Sequence, residues 1–84
     1  MASGSAEESV ETALNVGCDA FICGEVSYDW ILFAADYGLK LIEAGHFHIE
    51  DIFCADLVDK LQSQFKKMEI IKSKNSVDVC DYAF

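Results

Sequence analysis

The stretch LIEAGHFHIED, Leu41–Asp51, contains the point at which a predicted strand ends and a predicted helix begins. Its first half is apolar and strand-like and ends at Gly45, and a long amphipathic pattern follows. His46 is therefore expected between strand and helix, and Glu50 in the first turn of that helix. In open α/β sheets, ligands bind at this edge, just outside the carboxyl ends of the strands.

His46 and Glu50 are candidate ligands for a divalent metal ion. Imidazole and carboxylate groups both coordinate zinc, iron, manganese and cobalt. A purely structural interpretation is also open, because a Glu in the first turn of a helix complements the helix dipole. One His and one Glu at i, i+4 spacing are by themselves only a weak indication of a metal site. His48 is a second candidate ligand, but in an extended segment its side chain would point away from that of His46.

The composition indicates a small fold with more apolar material than it can bury alone. The chain has 84 residues, of which 52% are hydrophobic. A chain of this size buries only about 60% of its unfolded surface. We therefore expect an oligomer or part of a larger fold. No apolar run approaches the roughly 18 residues of a membrane helix, and residues 1–5 lack the features of a signal peptide, so no membrane partner is predicted.

The charge is strongly acidic, with 15 acidic against 6 basic residues and a net charge of −9. Such a surface repels nucleic acid, so direct nucleic-acid binding is not expected. The absence of Arg excludes bidentate phosphate recognition by guanidinium groups. No two Cys residues form a C-x-x-C pair, which argues against a thiolate zinc site. Without a secretory signal, we expect reduced thiols and a cytoplasmic location.

Hydrophobic periodicity and glycine positions predict an α-β-α-β-α-β order. Because helices separate successive strands, the predicted fold class is α/β with a small, mainly parallel three-stranded sheet. Residues 68–72 carry more charge than the other strands, as an edge strand does. The predicted helices are 6–16, 28–37 and 49–65, and the predicted strands are 19–23, 39–44 and 68–72.

Both ends of the chain are predicted to be irregular. Ala2–Ser5 is interpreted as a small polar loop, with Ser5 as the N-cap of the first helix. The same loop could cradle a phosphate, but no Lys follows at P-loop spacing, so capping is the favoured interpretation. Residues 75–84 lack clear periodicity and are predicted to form a docked, extended tail through Val77, Val79, Tyr82 and Phe84.

The second predicted helix is apolar around most of its circumference. Trp30–Ala35 places large side chains on more than one face, and such a helix needs cover on more than one side. We therefore expect this helix to contact another subunit.

Three segments together resemble one known family. GCDAFICGE, residues 17–25, resembles its G-a-D-hydrophobic-T-G-E/D segment, and AGHFHIE, residues 44–50, resembles its G-H-x-x-x-E segment. SGSA, residues 3–6, resembles the end of its Gly/Ser-rich loop. On these motifs the chain is identified as a member of the Nif-three-like family, described in bacteria as GTP cyclohydrolase I type 2 homologues. The resemblance implies that 1–84 is a single α/β unit from the carboxyl-terminal part of the family fold, with the amino-terminal part absent.

The resemblance implies a dinuclear centre of two divalent metal ions inside a ring-shaped hexamer. His46 and Glu50 correspond to the family's ligands, whereas the remaining ligands, a His-His pair and an Asp, belong to the amino-terminal part. This sequence departs from the pattern, because Cys23 replaces the usual Thr and Asp29 stands near a frequent His. Glu25 is interpreted either as a carboxylate that supports a ligand or orients substrate, or as a solvated turn acid.

Two functions follow from this identification. The first is a hydrolase-type metal protein acting on a nucleotide, in the manner of a GTP cyclohydrolase, to which this chain contributes a His/Glu ligand pair. The alternative is a non-catalytic metal-binding or oligomeric assembly module. In either case we expect the isolated chain to bind metal weakly and not to turn over GTP. The sequence leaves open both the metal and the substrate.

Overall fold

A computed structural model describes residues 1–83. Its three strands form a parallel sheet in the order β1-β2-β3. This confirms the predicted α/β class and the small parallel sheet, although the elements run β-α-β-α-β-α. The elements are β1 (Ala2–Ser5), α1 (Glu7–Asn15), β2 (Ala20–Glu25), α2 (Tyr28–Asp36), β3 (Lys40–Glu43) and α3 (His46–Gln64).

The first strand, β1, occupies the segment predicted to be a loop. It pairs with β2 through Ala2 opposite Cys23 and Ser5 opposite Glu25. The two strands approach closely because residue 24 is a glycine, and a Cβ there would lie 2.6 Å from the Gly4 carbonyl oxygen. Small residues have little intrinsic strand preference, so the sequence of β1 did not reveal it.

The start of α1 also differs from the prediction. Ser5 belongs to β1, the N-cap is Ala6, and no side chain forms a capping hydrogen bond there, so the predicted Ser5 cap is wrong. The first turn of α1 carries the carboxylates of Glu7 and Glu8, which complement the helix dipole. The loop on which the phosphate-binding alternative depended is therefore a strand followed by two acidic residues.

The predicted strand at 68–72 is wrong, since this segment is irregular in the structure. The side-chain amide of Gln62 donates hydrogen bonds to the carbonyls of Phe65 and Met68 and accepts one from the N–H of Ile70. These bonds occupy backbone groups that an added strand would need for pairing. The end of α3 is thus followed by a turn that Gln62 holds.

The tail does not form the predicted docked segment over its described part. Residues 74–83 contain no strand, and the side chains of Val77, Val79 and Tyr82 are exposed. Phe84, the fourth residue of that prediction, lies outside the described residues.

Residues Met1–Glu50 form one compact unit whose core lies on a single face of the sheet. Helices α1 and α2 contact each other, and they contact β2 and β3 respectively, as two right-handed crossovers on the same side require. On the opposite face, Ile22 and Ile42 remain 37% and 49% exposed. The core consists of Ala6, Val10, Ala13, Phe21, Cys23, Ala34 and Leu39.

A second compact unit begins at Asp51 and contains most of α3. The amphipathic pattern predicted for this helix does not translate into a buried apolar face at its start, because Ile52 and Phe53 are exposed. A shallow apolar groove lies instead between the side of α3 that carries Leu57 and Leu61 and the segment at 70–73. An ion pair of 2.6 Å joins Lys72 Nζ to Asp51 Oδ2 in the same unit. None of the helices within residues 1–83 combines the length and apolar character needed to cross a bilayer.

Candidate metal centre

The connection from β3 to α3 places His46 at the carboxyl edge of the sheet. The parallel ladder continues past β3, because Ala44 N–H donates to the Cys23 carbonyl at 2.9 Å and Gly45 N–H donates to the Gly24 carbonyl at 3.1 Å. Gly45 then takes a φ of +90°, a left-handed conformation that glycine adopts without steric cost. The chain turns there, and α3 begins at His46, three residues before the predicted start at Ile49.

The early start of α3 changes the position of Glu50. Glu50 lies one full turn beyond His46, so the prediction that it occupies the first turn is wrong. The two side chains share a helix face, and His46 Nε2 lies 3.1 Å from Glu50 Oε1. The helix therefore pairs these two residues directly, whereas the interpretation of Glu50 as a first-turn partner of the dipole loses its basis.

Glu25, the last residue of β2, contacts the other ring nitrogen of His46. The distance from His46 Nδ1 to Glu25 Oε1 is 2.9 Å. The pKa of His46 is raised from its ordinary value, first by this hydrogen bond and then by the charge of Glu50. A raised pKa means that the paired imidazolium stabilises the folded chain at low pH, and that this contribution is lost as the pH rises through the raised value.

Gly4 of β1 approaches the same two atoms closely. A Cβ at this position would lie 3.0 Å from Glu50 Oε1 and 3.5 Å from His46 Nε2. Gly4 also has a φ of +65°, which disfavours any side chain there. The side of the His46–Glu50 pair that faces β1 is therefore bordered by a residue without a side chain.

The donor set suits a metal ion in type but is incomplete. When Nδ1–H is donated to a carboxylate, Nε2 presents its lone pair, which is the usual arrangement of a metal-ligating His. His46 Nε2 and Glu50 Oε1 then supply two of the four or more donors that zinc and related ions require. Within residues 1–83, the structure contains no group of three or more His, Cys, Asp or Glu side chains arranged to hold a metal ion.

His48, the second candidate ligand, lies apart from this pair. Its ring packs edge-on against the Phe47 ring, with the centroids 5.7 Å apart. Its Cδ2 also lies 3.0 Å from the position that a Cβ of Gly45 would occupy. The structure thus brings Glu25 and Glu50 to His46 and leaves His48 on another part of the helix surface.

Sequence reasoning missed two carboxylates that hold the connection between β2 and α2. Glu43 Oε1 accepts a hydrogen bond of 2.9 Å from Val26 N–H, and Glu7 Oε1 accepts one of 3.3 Å from Ser27 N–H. Ser27 is the N-cap residue of α2, but its side chain forms no capping hydrogen bond. Glu43 could have been noticed as a charged residue that ends an otherwise apolar strand at the carboxyl edge.

Comparison with known proteins agrees with the motifs of the sequence. The sequence model of the Duf34/NIF3 family (NGG1p interacting factor 3) matches residues 1–78. A protein of Clostridium acetobutylicum named GTP cyclohydrolase 1 type 2 homolog is 30% identical over 80 residues. The similarity covers 90% of this chain but 30% of the relative, so the chain spans less than a third of that protein's length.

Proposed function

Because the chain belongs to the Duf34/NIF3 family, we propose that it supplies His46 Nε2 and Glu50 Oε1 as ligands to a divalent metal centre. The observation that supports this proposal is that the two ring nitrogens of His46 lie next to two different carboxylates. Glu25 takes the Nδ1 side at 2.9 Å, and Nε2 and Glu50 Oε1 lie together beside Gly4. An imidazole oriented in this way is ready to ligate through Nε2.

The proposed centre is completed by ligands from outside these 84 residues, because this chain spans only part of its longer relative. We propose two divalent ions of zinc, iron, manganese or cobalt, since all four accept imidazole and carboxylate ligands. When bound, such ions activate water and polarise a substrate in hydrolytic reactions. In this chain, Glu25 holds the proton at Nδ1 and orients the ring, while Nε2 gives up its proton to the solvent before it ligates.

A nucleotide substrate and a cytoplasmic location belong to the same proposal. The name of the Clostridium relative points to GTP cyclohydrolase chemistry, and that name is the support for a nucleotide here. The chain, with its net charge of −9, lacks the basic surface that phosphate binding favours. We therefore propose that any nucleotide recognition is made by groups outside these 84 residues.

The first prediction concerns metal affinity. We expect the 84-residue chain to bind Zn²⁺ more weakly than micromolar, because two protein ligands leave the rest of the coordination shell to water. In an NMR titration with Zn²⁺, the largest shifts should occur at the backbone amides of residues 45–50, and His46→Ala should abolish them. Glu50→Gln should weaken the same response. We expect no GTP turnover by this chain.

His48→Ala is the matched control, since it removes an imidazole two residues away and should leave the Zn²⁺ response of His46 intact. Two results would contradict the proposal. Stoichiometric micromolar binding that depends on His46 would show that the chain contains a complete site. A response that disappears in His48→Ala and persists in His46→Ala would show that the ligand is the other histidine.

We also propose that α2 forms part of an assembly surface, as a ring-shaped homo-oligomer would need. Ile31 and Leu32 are 37% and 46% exposed on this helix, and the rings of Tyr28 and Tyr37 are exposed as well. Ala34 is the buried residue of α2. Contiguous exposed apolar side chains of this kind are typical of protein–protein interfaces.

The second prediction is that the chain self-associates through this helix. Fully burying a large apolar side chain is worth about 1.5–3 kcal/mol, so two or three such residues favour association. Because the net charge of −9 opposes close approach, association should strengthen as salt screens it. Analytical ultracentrifugation at low and moderate salt measures this, and Leu32→Lys should shift the chain towards monomer.

Val16→Lys serves as the control, because it introduces the same charge at an exposed apolar position at the end of α1. It should leave the association unchanged apart from the small effect of charge. A folded wild-type chain that stays monomeric in both buffers at high micromolar concentration would show that α2 is not an interface.

A further inference from the structure

The peptide group that joins Glu25 to Val26 is hydrogen-bonded on both sides. Its carbonyl oxygen accepts a bond of 3.2 Å from Ala6 N–H, which lies just before α1. Its N–H donates a bond of 2.9 Å to Glu43 Oε1, at the end of β3. Because two separate elements hold this one peptide group, its plane is fixed relative to both the helix and the strand.

This peptide group bears directly on the position of Glu25. The Glu25 side chain is long and about half exposed, so its conformational freedom opposes a defined contact with His46. On the β3 side the hydrogen bonds of β2 reach the carbonyl of Gly24, which accepts from Gly45 N–H, so Glu25 lies one residue beyond them, and its strand partner is Ser5 of β1. Fixing the peptide that follows Glu25 fixes the Cα from which its carboxylate reaches His46 Nδ1.

We propose that Glu43 is a positioning residue for the candidate centre. Its carboxylate accepts the Val26 N–H, holds the Glu25–Val26 peptide, and so keeps the Glu25 carboxylate at Nδ1 of His46. In this arrangement Glu43 acts through the backbone, since its Oε1 accepts the N–H of Val26. The link to metal binding rests on the proposed function, whereas the link from Glu43 to the orientation of His46 does not.

The position of the single proton on neutral His46 reports this effect. Two carboxylates compete for that proton, Glu25 at Nδ1 and Glu50 at Nε2, and the partner of each nitrogen decides which tautomer is populated. If Glu43 positions Glu25, the wild-type ring carries its proton on Nδ1. Loss of the Glu43 hydrogen bond lets Glu25 move away, and the Nε2–H tautomer is then populated, in which Nε2–H donates a hydrogen bond to Glu50.

The experiment is a ¹⁵N NMR measurement of the His46 ring in the metal-free 84-residue chain, at a pH at which the ring is neutral. We expect the Nδ1–H form in wild type and a loss of that form in Glu43→Ala. Glu43→Gln should restore the wild-type tautomer, because its side-chain carbonyl still accepts the Val26 N–H. Glu43→Asp keeps the charge with a shorter side chain, and should behave like Glu43→Ala while disturbing the fold least.

An unchanged tautomer in folded Glu43→Ala and Glu43→Asp would overturn the proposal, even if both variants were less stable, since that result describes a merely structural carboxylate. A Glu43→Gln variant that behaves like Glu43→Ala would also overturn it, because charge rather than the hydrogen bond would then be responsible. The metal proposal fails separately, when Glu50→Gln and His46→Ala leave the Zn²⁺ response unchanged.

Discussion

Replacement of Phe21 by Ala is expected to lower the free energy of unfolding by about 3–5 kcal/mol. Phe21 is the largest side chain of the core formed by α1, α2 and the sheet, and it is buried. Truncation removes its apolar contacts and leaves a cavity that the surrounding side chains fill only in part. The total stability of a domain is roughly 5–15 kcal/mol, so this one change removes much of it. Urea unfolding followed by circular dichroism measures the loss.

Ile22→Ala is the matched control, because Ile22 is the next residue of β2 and lies on the opposite, half-exposed face of the sheet. We expect Ile22→Ala to lower the free energy of unfolding by less than about 1.5 kcal/mol, since the side chain is only partly buried. Equal losses for the two variants would contradict the one-sided core described above.

Replacement of Gly24 by Ala is expected to detach β1 from the sheet. The added Cβ would lie 2.6 Å from the carbonyl oxygen and 2.8 Å from the nitrogen of Gly4, and both are backbone atoms that cannot rotate away. We expect destabilisation of about 1–3 kcal/mol from this overpacking. Hydrogen exchange should show the change most directly, as a loss of protection for the amides of Ala2–Ser5.

Gly17→Ala separates this steric effect from the conformational cost of losing a glycine. A Cβ at Gly17 meets nothing within 4 Å, but its φ of +78° is unfavourable for Ala. We therefore expect Gly17→Ala to lower the free energy of unfolding by about 1 kcal/mol and to leave the hydrogen-exchange protection of the β1 amides unchanged. If Gly24→Ala retained the protection of Ala2–Ser5, the close approach of Gly24 to Gly4 would not be what holds the strand.

The middle of the fold could be predicted from the sequence because its elements carry strong local signals. β2 and β3 are apolar runs, and Gly17, Gly38 and Gly45 separate them from helices. β1 could not be predicted, because its pairing depends on Gly24, a residue about 20 positions away. The strand predicted at 68–72 was wrong for the converse reason. Its apolar residues indicate a strand, whereas the Gln62 side chain hydrogen-bonds the Met68 carbonyl and the Ile70 N–H.

The candidate site shows the same division between local and distant causes. The pairing of His46 with Glu50 follows from their spacing once the segment is helical. The predicted place of both residues relative to the start of the helix was wrong. Metal ligation by the two residues stays a prediction. The contact of Glu25 with His46 agrees with a supporting role that the sequence left open. The hydrogen bond of Glu43 to Val26 could not be predicted, because it depends on the register of β2 against β3.

The parallel arrangement of the strands also constrains how the chain reaches its folded state. No two strands are joined by a tight turn, and Ala20 pairs with Lys40 as Ser5 pairs with Glu25 across a whole intervening helix. Every sheet contact thus closes a long loop, and such contacts form more slowly than local ones. β2 is the shared partner, so β1 and β3 can associate with it in independent steps. We expect the ring of His46 to meet Glu25 only after β3 has paired, and Gly4 to arrive in the separate step that adds β1. The sheet edge that carries His46 and Glu50 is then among the last parts of the chain to form.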